Sequence, residues 1–333
     1  MAQFLSKLRA RYNAFSAALD LGPLGSELAG KSLTKKALFA RFLAHHFFGK
    51  VTMEDWLQYR FYLLNRRGRK TFIDHRYLLW LMREVNDPTL RPLFDDKAQF
   101  AARFAPYFGR EHVDTRTCSA DDFAHFCARH DVFIAKPLKG LFGKGVHKVQ
   151  AQGSQAQLEE LKGQEALLEE IIEQHPNLAA LNASTLNTLR LVTLIDDEGE
   201  IHLMGAALRV GRAGKEADNF HHGGIAAKVD LDSGRLLTPG RDKEGRRYLA
   251  HPDSGVVLPG WQVPCWSELK AFAFALAAVE PKARYVGWDI ALTPDGPCVV
   301  EGNFGSDPDI LQTLDNRGVR PAFDAILRKN NAH

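Results

Sequence analysis

Cysteine is scarce in this 333-residue chain, which has only Cys118, Cys127, Cys265 and Cys298. The four show neither the close pairing of a zinc site nor the density of a disulfide framework, so a cross-linked scaffold is excluded and a reducing, cytoplasmic setting is expected. Long apolar runs are missing as well. The longest, Ala271–Val279, falls far short of the ~20 residues that cross a bilayer, and no export signal is read ahead of it. No internal repeat, low-complexity tract or long linker is found. A Walker loop is absent, because no Gly-Lys-Ser or Gly-Lys-Thr occurs, and the glycine spacing does not fit a dinucleotide fingerprint. Concentrated charge is lacking too: with a formal net charge of +3, lysines and arginines read as scattered, which argues against a nucleic-acid partner. Two basic segments, Asn65 to Lys70 and Arg241 to Arg247, read as solvated loops.

What is present divides by texture. Over the first hundred residues apolar positions recur at helical spacing, as in Phe4, Leu5, Leu8, Tyr12, Phe15 and Leu19. Lys7, Arg9 and Arg11 lie off that face, so this helix either packs on the rest of the protein or makes a peripheral contact with an anionic membrane. Further helices are expected over Thr34–Phe48, from a Thr52/Asp55 capping box to about Leu64, over Ile73–Val85 and over Asp95–Phe108. From about Asp131 the pattern turns to short β-rich runs: Val132–Lys136, Gly145–Gln150, Ala166–Ile172, Leu189–Ile195, Ile201–Val210 and Ile225–Leu231. Helices starting at Ser154 and spanning Ser267–Val279 interrupt them. An α+β body behind a helical front is the expected fold.

The sharpest signal lies near the C-terminus. Gly287 to Leu292 and Cys298 to Asn303 are apolar runs flanking Thr293-Pro294-Asp295-Gly296-Pro297, which reads as a hairpin. A turn centred on Asp295 places residue 289 opposite 301 and residue 291 opposite 299. Asp289 and Glu301 then share a face ~5 Å apart, with Asn303 following on it. Two opposed carboxylates repel unless a proton or cation lies between them. Two acids and an amide are the hard oxygen ligands that magnesium takes beside phosphates. The alternative is that one acid points outward and the other meets a lysine, and one residue of slip would part them.

Two weaker signals precede it. Val132-Phe133-Ile134-Ala135-Lys136-Pro137 sets Lys136 on the same strand face as Val132 and Ile134, where a phosphate would satisfy its ammonium. Then Leu138 to Gly145, with Gly140, Gly143 and Gly145, is either a flap whose N–H groups turn toward an anion or a glycine-rich hairpin with surface lysines. Leu167 to Glu173 is an apolar strand carrying Glu169, Glu170 and Glu173, acids that either receive a nucleoside or cap a strand end.

Lysine strand, glycine loop, acidic strand and acid hairpin, in this order, resemble the ATP-grasp superfamily over roughly residues 95 to 314, in which two α+β lobes close on ATP. The resemblance implies Lys97 and Lys136 as phosphate-contacting lysines, and Gly143 and Lys144 within a mobile loop. It implies Glu169, Glu170 and Ile172 at the adenine hinge, Glu173 near ribose, and magnesium on Asp289, Glu301 and Asn303. Ala207-Leu208-Arg209-Val210 and Asp218 to Gly224 are similar to a stretch of ATP-grasp glutamate ligases in which Arg209 faces the acyl phosphate, with Asn219 beside it. His221 and His222 read as structural or substrate-lining, because adjacent histidines on a strand point apart. The helical front and Asn187-Thr188-Leu189-Arg190 resemble the sugar-transfer-associated subgroup. One departure stands out: many peptide-forming members carry an arginine two residues before the first metal acid, where this chain has Gly287, so Arg190 or Arg209 is expected to supply the charge. The implied organisation is a helical region over 1–94, a small lobe over 95–168 and a large lobe over 169–333. The implied activity is Mg2+- and ATP-dependent joining of a small-molecule carboxylate to an amine. A small-molecule kinase, or a non-catalytic nucleotide-binding partner of polysaccharide machinery, are the alternatives.

Overall fold

The computed structural model describes residues 2–21, 34–49, 51–140, 145–213 and 223–327. Gly143, Lys144, Asn219, His221 and His222 lie outside the described residues. Two antiparallel sheets organise the chain. The smaller comprises β1 (His112–Asp114), β2 (Val132–Pro137), β3 (His147–Gln150) and β4 (Ala166–Glu170) in the order β1-β4-β2-β3. The larger runs β11-β10-β5-β6-β7-β8-β9, from β5 (Thr188–Ile195), β6 (Ile201–Val210), β7 (Ile225–Lys228), β8 (Gly240–Arg241), β9 (Arg247–Tyr248), β10 (Tyr285–Thr293) and β11 (Gly296–Phe304).

Alternation along the strands of the larger sheet gives it two apolar faces. Leu189, Leu191, Leu208, Trp288 and Ile290 pack toward the helix Trp266–Val279 and toward Phe94, Phe100 and Phe104. Val192, Leu194, Ala207 and Tyr285 pack on the other face, against Tyr77, Leu81, Leu311 and Phe323. Residues 95–108, expected with the smaller lobe, thus contribute their phenylalanines to the larger sheet. Gly302 permits this approach, since a Cβ there would come within 2.8 Å of Phe100 and 3.0 Å of Phe94. β4 runs to Glu170 within the smaller sheet, two residues past the expected boundary at 168, and ends short of Ile172.

The helical front has its own aromatic core, including Phe15, Leu19, Phe39, Phe42, Trp56 and Phe72. From the helix Ala2–Leu21 it takes Phe15 and Leu19, with Phe15 stacked on Phe42 at 5.7 Å between ring centroids. Thr52 caps the next helix by accepting from Asp55 N–H at 3.0 Å, but the reciprocal half of the box is missing because the Asp55 carboxylate accepts from His75 N–H instead. The helix stops at Gln58 rather than Leu64, since Arg60 takes a left-handed φ of 53° that an α-helix does not accommodate. No helix of the described residues is long and apolar enough to cross a membrane.

Candidate active site

The acid hairpin forms with Asp289 opposite Glu301, by a different route from a turn centred on Asp295. The loop is one residue tighter, leaving only Pro294 and Asp295 between the strands: Thr293 pairs with Gly296, Ala291 with Cys298 and Ile290 with Val299. Continued, that register would leave Asp289 facing Val300. A bulge intervenes, and Val300 drops out of the ladder so that Asp289 meets Glu301 and Gly287 meets Asn303. The expected pairing of 291 with 299 is therefore off by one residue, whereas that of 289 with 301 holds.

Neighbouring strands extend this row. Asp289 pairs across β10/β5 with Arg190, and Arg190 pairs across β5/β6 with Ala207, two residues from Arg209. The face that carries Val192, Leu194, Ala207 and Tyr285 continues into this row and also carries Arg190, Arg209, Asp289, Glu301 and Asn303. Arg190 grips Asp289 with two hydrogen bonds, Nε to Oδ1 at 2.5 Å and Nη2 to Oδ2 at 3.0 Å, and Arg209 adds Nη1 to Oδ2 at 2.9 Å. Asn303 Nδ2 approaches the same Oδ2 at 3.4 Å. Burial by itself would raise the Asp289 pKa, but the two guanidinium groups hold it well below the usual carboxylate range. Glu301 moves the other way: surrounding protein and the adjacent Asp289 charge push it up, although solvent reaches its side chain. One acid is thus held ionised, and the other is poised to take a proton or a cation.

Gly287 explains where the missing arginine went. A Cβ at that position would lie 2.3 Å from Ser306 Oγ and 3.2 Å from Arg190 Cδ. The space a longer residue would need is filled by the Arg190 side chain arriving from β5, and Arg190 Nη1 donates to Ser306 Oγ at 3.3 Å.

Two lysines lie near this row, Lys136 on the smaller sheet and Lys97 on a helix packed against the larger one. Lys136 on β2 donates to Glu169 Oε2 on β4 at 2.7 Å, so a carboxylate already meets the need that a phosphate was expected to meet. Arg110 Nε donates to the same oxygen at 2.6 Å. Burial opposes the charge on Glu169, yet Arg110 and Lys136 bring its pKa down to about 2. Lys97 begins a helix capped by Asp96, and its Nζ donates to Gly140 O at 3.2 Å. Burial lowers the Lys97 pKa, while Glu301 and Glu169 oppose that and Lys136 adds to it, so all four charges lie within electrostatic reach. The structure therefore brings Lys97, Lys136, Glu169, Arg190, Arg209, Asp289, Glu301 and Asn303 to one region between the sheets.

With this geometry established, comparison is informative. A family model described as sugar-transfer associated ATP-grasp matches residues 79–328. The chain belongs to this ATP-grasp family. Its α+β architecture is the ATP-grasp fold. No curated protein matches the sequence. Similar solved structures include the ATP-grasp ligase PsnB complexed with a phosphomimetic variant of minimal precursor, Mg and ADP, at 16% identity and TM-score 0.45, over 75% of this chain and 64% of that one. Others are D-cycloserine synthetase DcsG, at 15% identity and TM-score 0.43 over 75% and 78% of the two chains, and D-alanyl-alanine synthetase A from Vibrio cholerae, at 11% identity and TM-score 0.44 over 72% and 66%. The chain spans just under two thirds of the PsnB chain in the first complex.

In this ATP-grasp protein several residues sit apart from the charged row. The Glu170 carboxylate accepts from Glu111 N–H at 3.0 Å, at the edge toward β1, and Ile172 and Glu173 follow beyond β4. Asn187, first residue of the Asn-Thr-Leu-Arg motif, is fully buried. It donates to Leu178 O and Asn182 O and accepts from Gly211 N–H, tying the start of β5 to the chain leaving β6. Sequence reasoning passed over Arg110, whose Nη1 also donates to Val299 O at 2.7 Å, beside the bulge that sets Glu301. Its contact with Phe108 is local, but the partners that tie it to the site are 59 and 189 residues away.

Also passed over was the loop after β11, where Asp307 and Asp309 approach Arg190. The signal was legible as Asp-Pro-Asp four residues past Asn303. Burial and the Asp307 charge raise Asp309 to about 7. A carboxyl raised in the folded state stabilises most below its ordinary value of 3.8, and that contribution is lost as pH rises through about 7. Asp309→Asn keeps the oxygen that caps Ile310 N–H and removes the repulsion. The variant is expected to gain most in denaturant unfolding at pH 8, by at least about 1–2 kcal/mol, less at pH 5 and nothing near pH 3; an equal effect at pH 8 and pH 3 would contradict the raised pKa.

Proposed function

We propose that this protein is an ATP-dependent ligase that joins a carboxylate to an amine through an acyl phosphate. The observation carrying this reading is the charged row itself: two acids and an amide held among two arginines, with Lys136 of the other sheet and Lys97 nearby. Such a set suits a polyphosphate accompanied by a divalent cation. Asp289, Glu301 and Asn303 would hold magnesium, and the fit is chemical. Asp289 is kept ionised by its arginines, and Glu301, raised by its neighbour, is relieved by a cation in place of a proton. When bound, magnesium neutralises phosphate charge.

The chain's own residues do the rest. Lys97 and Lys136 contact the phosphates, Lys136 being shared between Glu169 and the nucleotide. Glu169, Glu170, Ile172 and Glu173 form the nucleoside end, and Gly143 and Lys144 belong to a loop covering the phosphates. Arg209 and Arg190, with Asn219, stabilise charge on the moving phosphoryl group. A carboxylate oxygen of the substrate attacks the γ-phosphorus and ADP leaves; the amine then attacks the acyl carbon, phosphate leaves with the bonding pair, and the nitrogen gives up a proton. Positioning and electrostatics suffice for both steps, and excluding water protects the acyl phosphate from hydrolysis. The division at 94 and 168, a cytoplasmic location and a role in cell-surface saccharide or natural-product assembly belong to the same proposal.

The test is ADP release against a panel of carboxylates, with and without amines, with products identified by mass spectrometry. An amide requiring both partners is the expected result. A phosphorylated alcohol would replace the ligase by a kinase, and ATP binding without turnover in any mixture would leave a nucleotide-binding partner of other machinery.

A further inference from the structure

The basic residues are not evenly placed. Of the 43 lysines and arginines, 13 fall in the first 70 residues, against 4 of the 40 acids. The helical front therefore carries a formal charge of +9 and the remainder −6. A module of one sign on a body of the other has an electrostatic polarity that the modest total conceals.

At one end of this module the chain exposes aromatic rings. Phe47 is 65% exposed and Phe48 93%, at the C-terminal end of the helix Lys35–Gly49. They are held there rather than dangling. Trp56, fully buried, donates its indole N–H to His45 Nδ1 at 2.8 Å, and a His46 ring nitrogen hydrogen-bonds Val51 O at 2.9 Å. These bonds seat the preceding turn on the aromatic core and leave the two rings outside it.

Arginines gather beside them. Arg41, His45 and Phe48 stand at i, i+4 and i+7, one stripe of the helix. Arg69 feels burial and then the charges of Arg41 and Arg66, all of which disfavour its own charge, and His45 is depressed by burial, Arg69 and Arg41. Arg41, Arg66 and Arg67 are exposed, and among the described residues none of them pairs with a carboxylate. Among the described residues these like charges thus lack counter-ions, and Arg41 shares its helix with the two rings left in water.

We propose that this tip docks on an anionic lipid bilayer, the rings entering the headgroup boundary while Arg41, Arg66, Arg67 and Arg69 meet acidic headgroups. The pairing of the two features selects the occupant. A soluble polyanion or acidic protein would satisfy the arginines and leave the rings in water, whereas a neutral apolar partner would bury the rings and strand the charges. An anionic interface takes both, and the sum of a shallow apolar insertion and several basic contacts gives reversible binding. The opposite charge of the remaining chain would turn the body away from the same surface. This inference is independent of the ligase reading.

Vesicle co-sedimentation of the full chain tests it, using phosphatidylcholine vesicles with and without about 30% phosphatidylglycerol. Binding is expected to the mixed vesicles, at least about tenfold weaker to the neutral ones, and weakened as sodium chloride rises from about 0.1 to about 0.5 M. Phe47→Ser with Phe48→Ser, and separately Arg66→Gln with Arg67→Gln, should each lower partition at least about tenfold with ATP binding and thermal unfolding unchanged, since all four side chains are exposed. Equal binding to both vesicle types, vesicle binding that survives the phenylalanine double variant, or a soluble polyanion bound equally well by that variant and in preference to vesicles, would each overturn the proposal.

Discussion

Glu301→Ala is expected to reduce ATP turnover by about three orders of magnitude while the protein stays folded. The two expectations separate because Glu301 occupies a position of electrostatic discomfort. The surrounding protein and Asp289 both disfavour its charge, so removing the carboxylate relieves the hairpin, and thermal unfolding should be unchanged or slightly raised. Asp289 cannot replace it, because two arginines and Asn303 already share its oxygens. Glu301→Gln should likewise raise the magnesium concentration for half-maximal ADP release by more than about tenfold. The pH dependence has a definite sign. A proton competes with the cation at Glu301, and since its pKa lies above the ordinary 4.5, activity should fall on acidification at a higher pH than an ordinary carboxylate would require. That acidic limb should vanish in the glutamine variant. Turnover within tenfold of the parent, with an unaltered magnesium requirement, would remove Glu301 from the metal site.

Glu169→Ala should be the most destabilising single change in the smaller sheet. The carboxylate is buried and accepts at 2.6 Å from Arg110 and 2.7 Å from Lys136. Its loss strands two cations, one of them almost fully enclosed, a situation that costs about 3–5 kcal/mol. In a chain of this size that corresponds to a fall of roughly ten degrees in the unfolding midpoint. Because Glu169 is held at about 2 rather than the ordinary 4.5, its contribution is complete above about pH 4.5 and disappears as pH falls through 2. The gap between parent and variant should therefore be flat from pH 5 to 8 and narrow in acid, which calorimetry across that range would show. A gap below about 1 kcal/mol at pH 7 would mean that the triad is relaxed in solution. The same substitution loosens Arg110, which also donates to the carbonyl of Val299, so weaker placement of Glu301 should accompany it.

By itself the sequence determined what depends on neighbours along the chain. Period-two alternation on both sides of a Pro-Asp turn specified the β10/β11 hairpin and put Glu301 and Asn303 on one face of their strand. Ile201–Val210 reads as a strand and is one, and Thr52 and Ser154 mark helix starts because a cap acts within three residues. The tertiary structure decided whatever needs a distant partner. The bulge at Val300, which rescues the pairing of the two acids, adjoins an arginine from residue 110. Asp289 stays ionised because β5 and β6 bring Arg190 and Arg209 across from 99 and 80 residues away. Lys136 meets Glu169 because β2 and β4 are neighbours, and the phenylalanines of residues 94–104 lie on the larger sheet because Gly302 leaves room for them. Periodicity reports which side of an element is apolar, whereas a charge network depends on which elements are adjacent, and adjacency is settled only when the whole core packs.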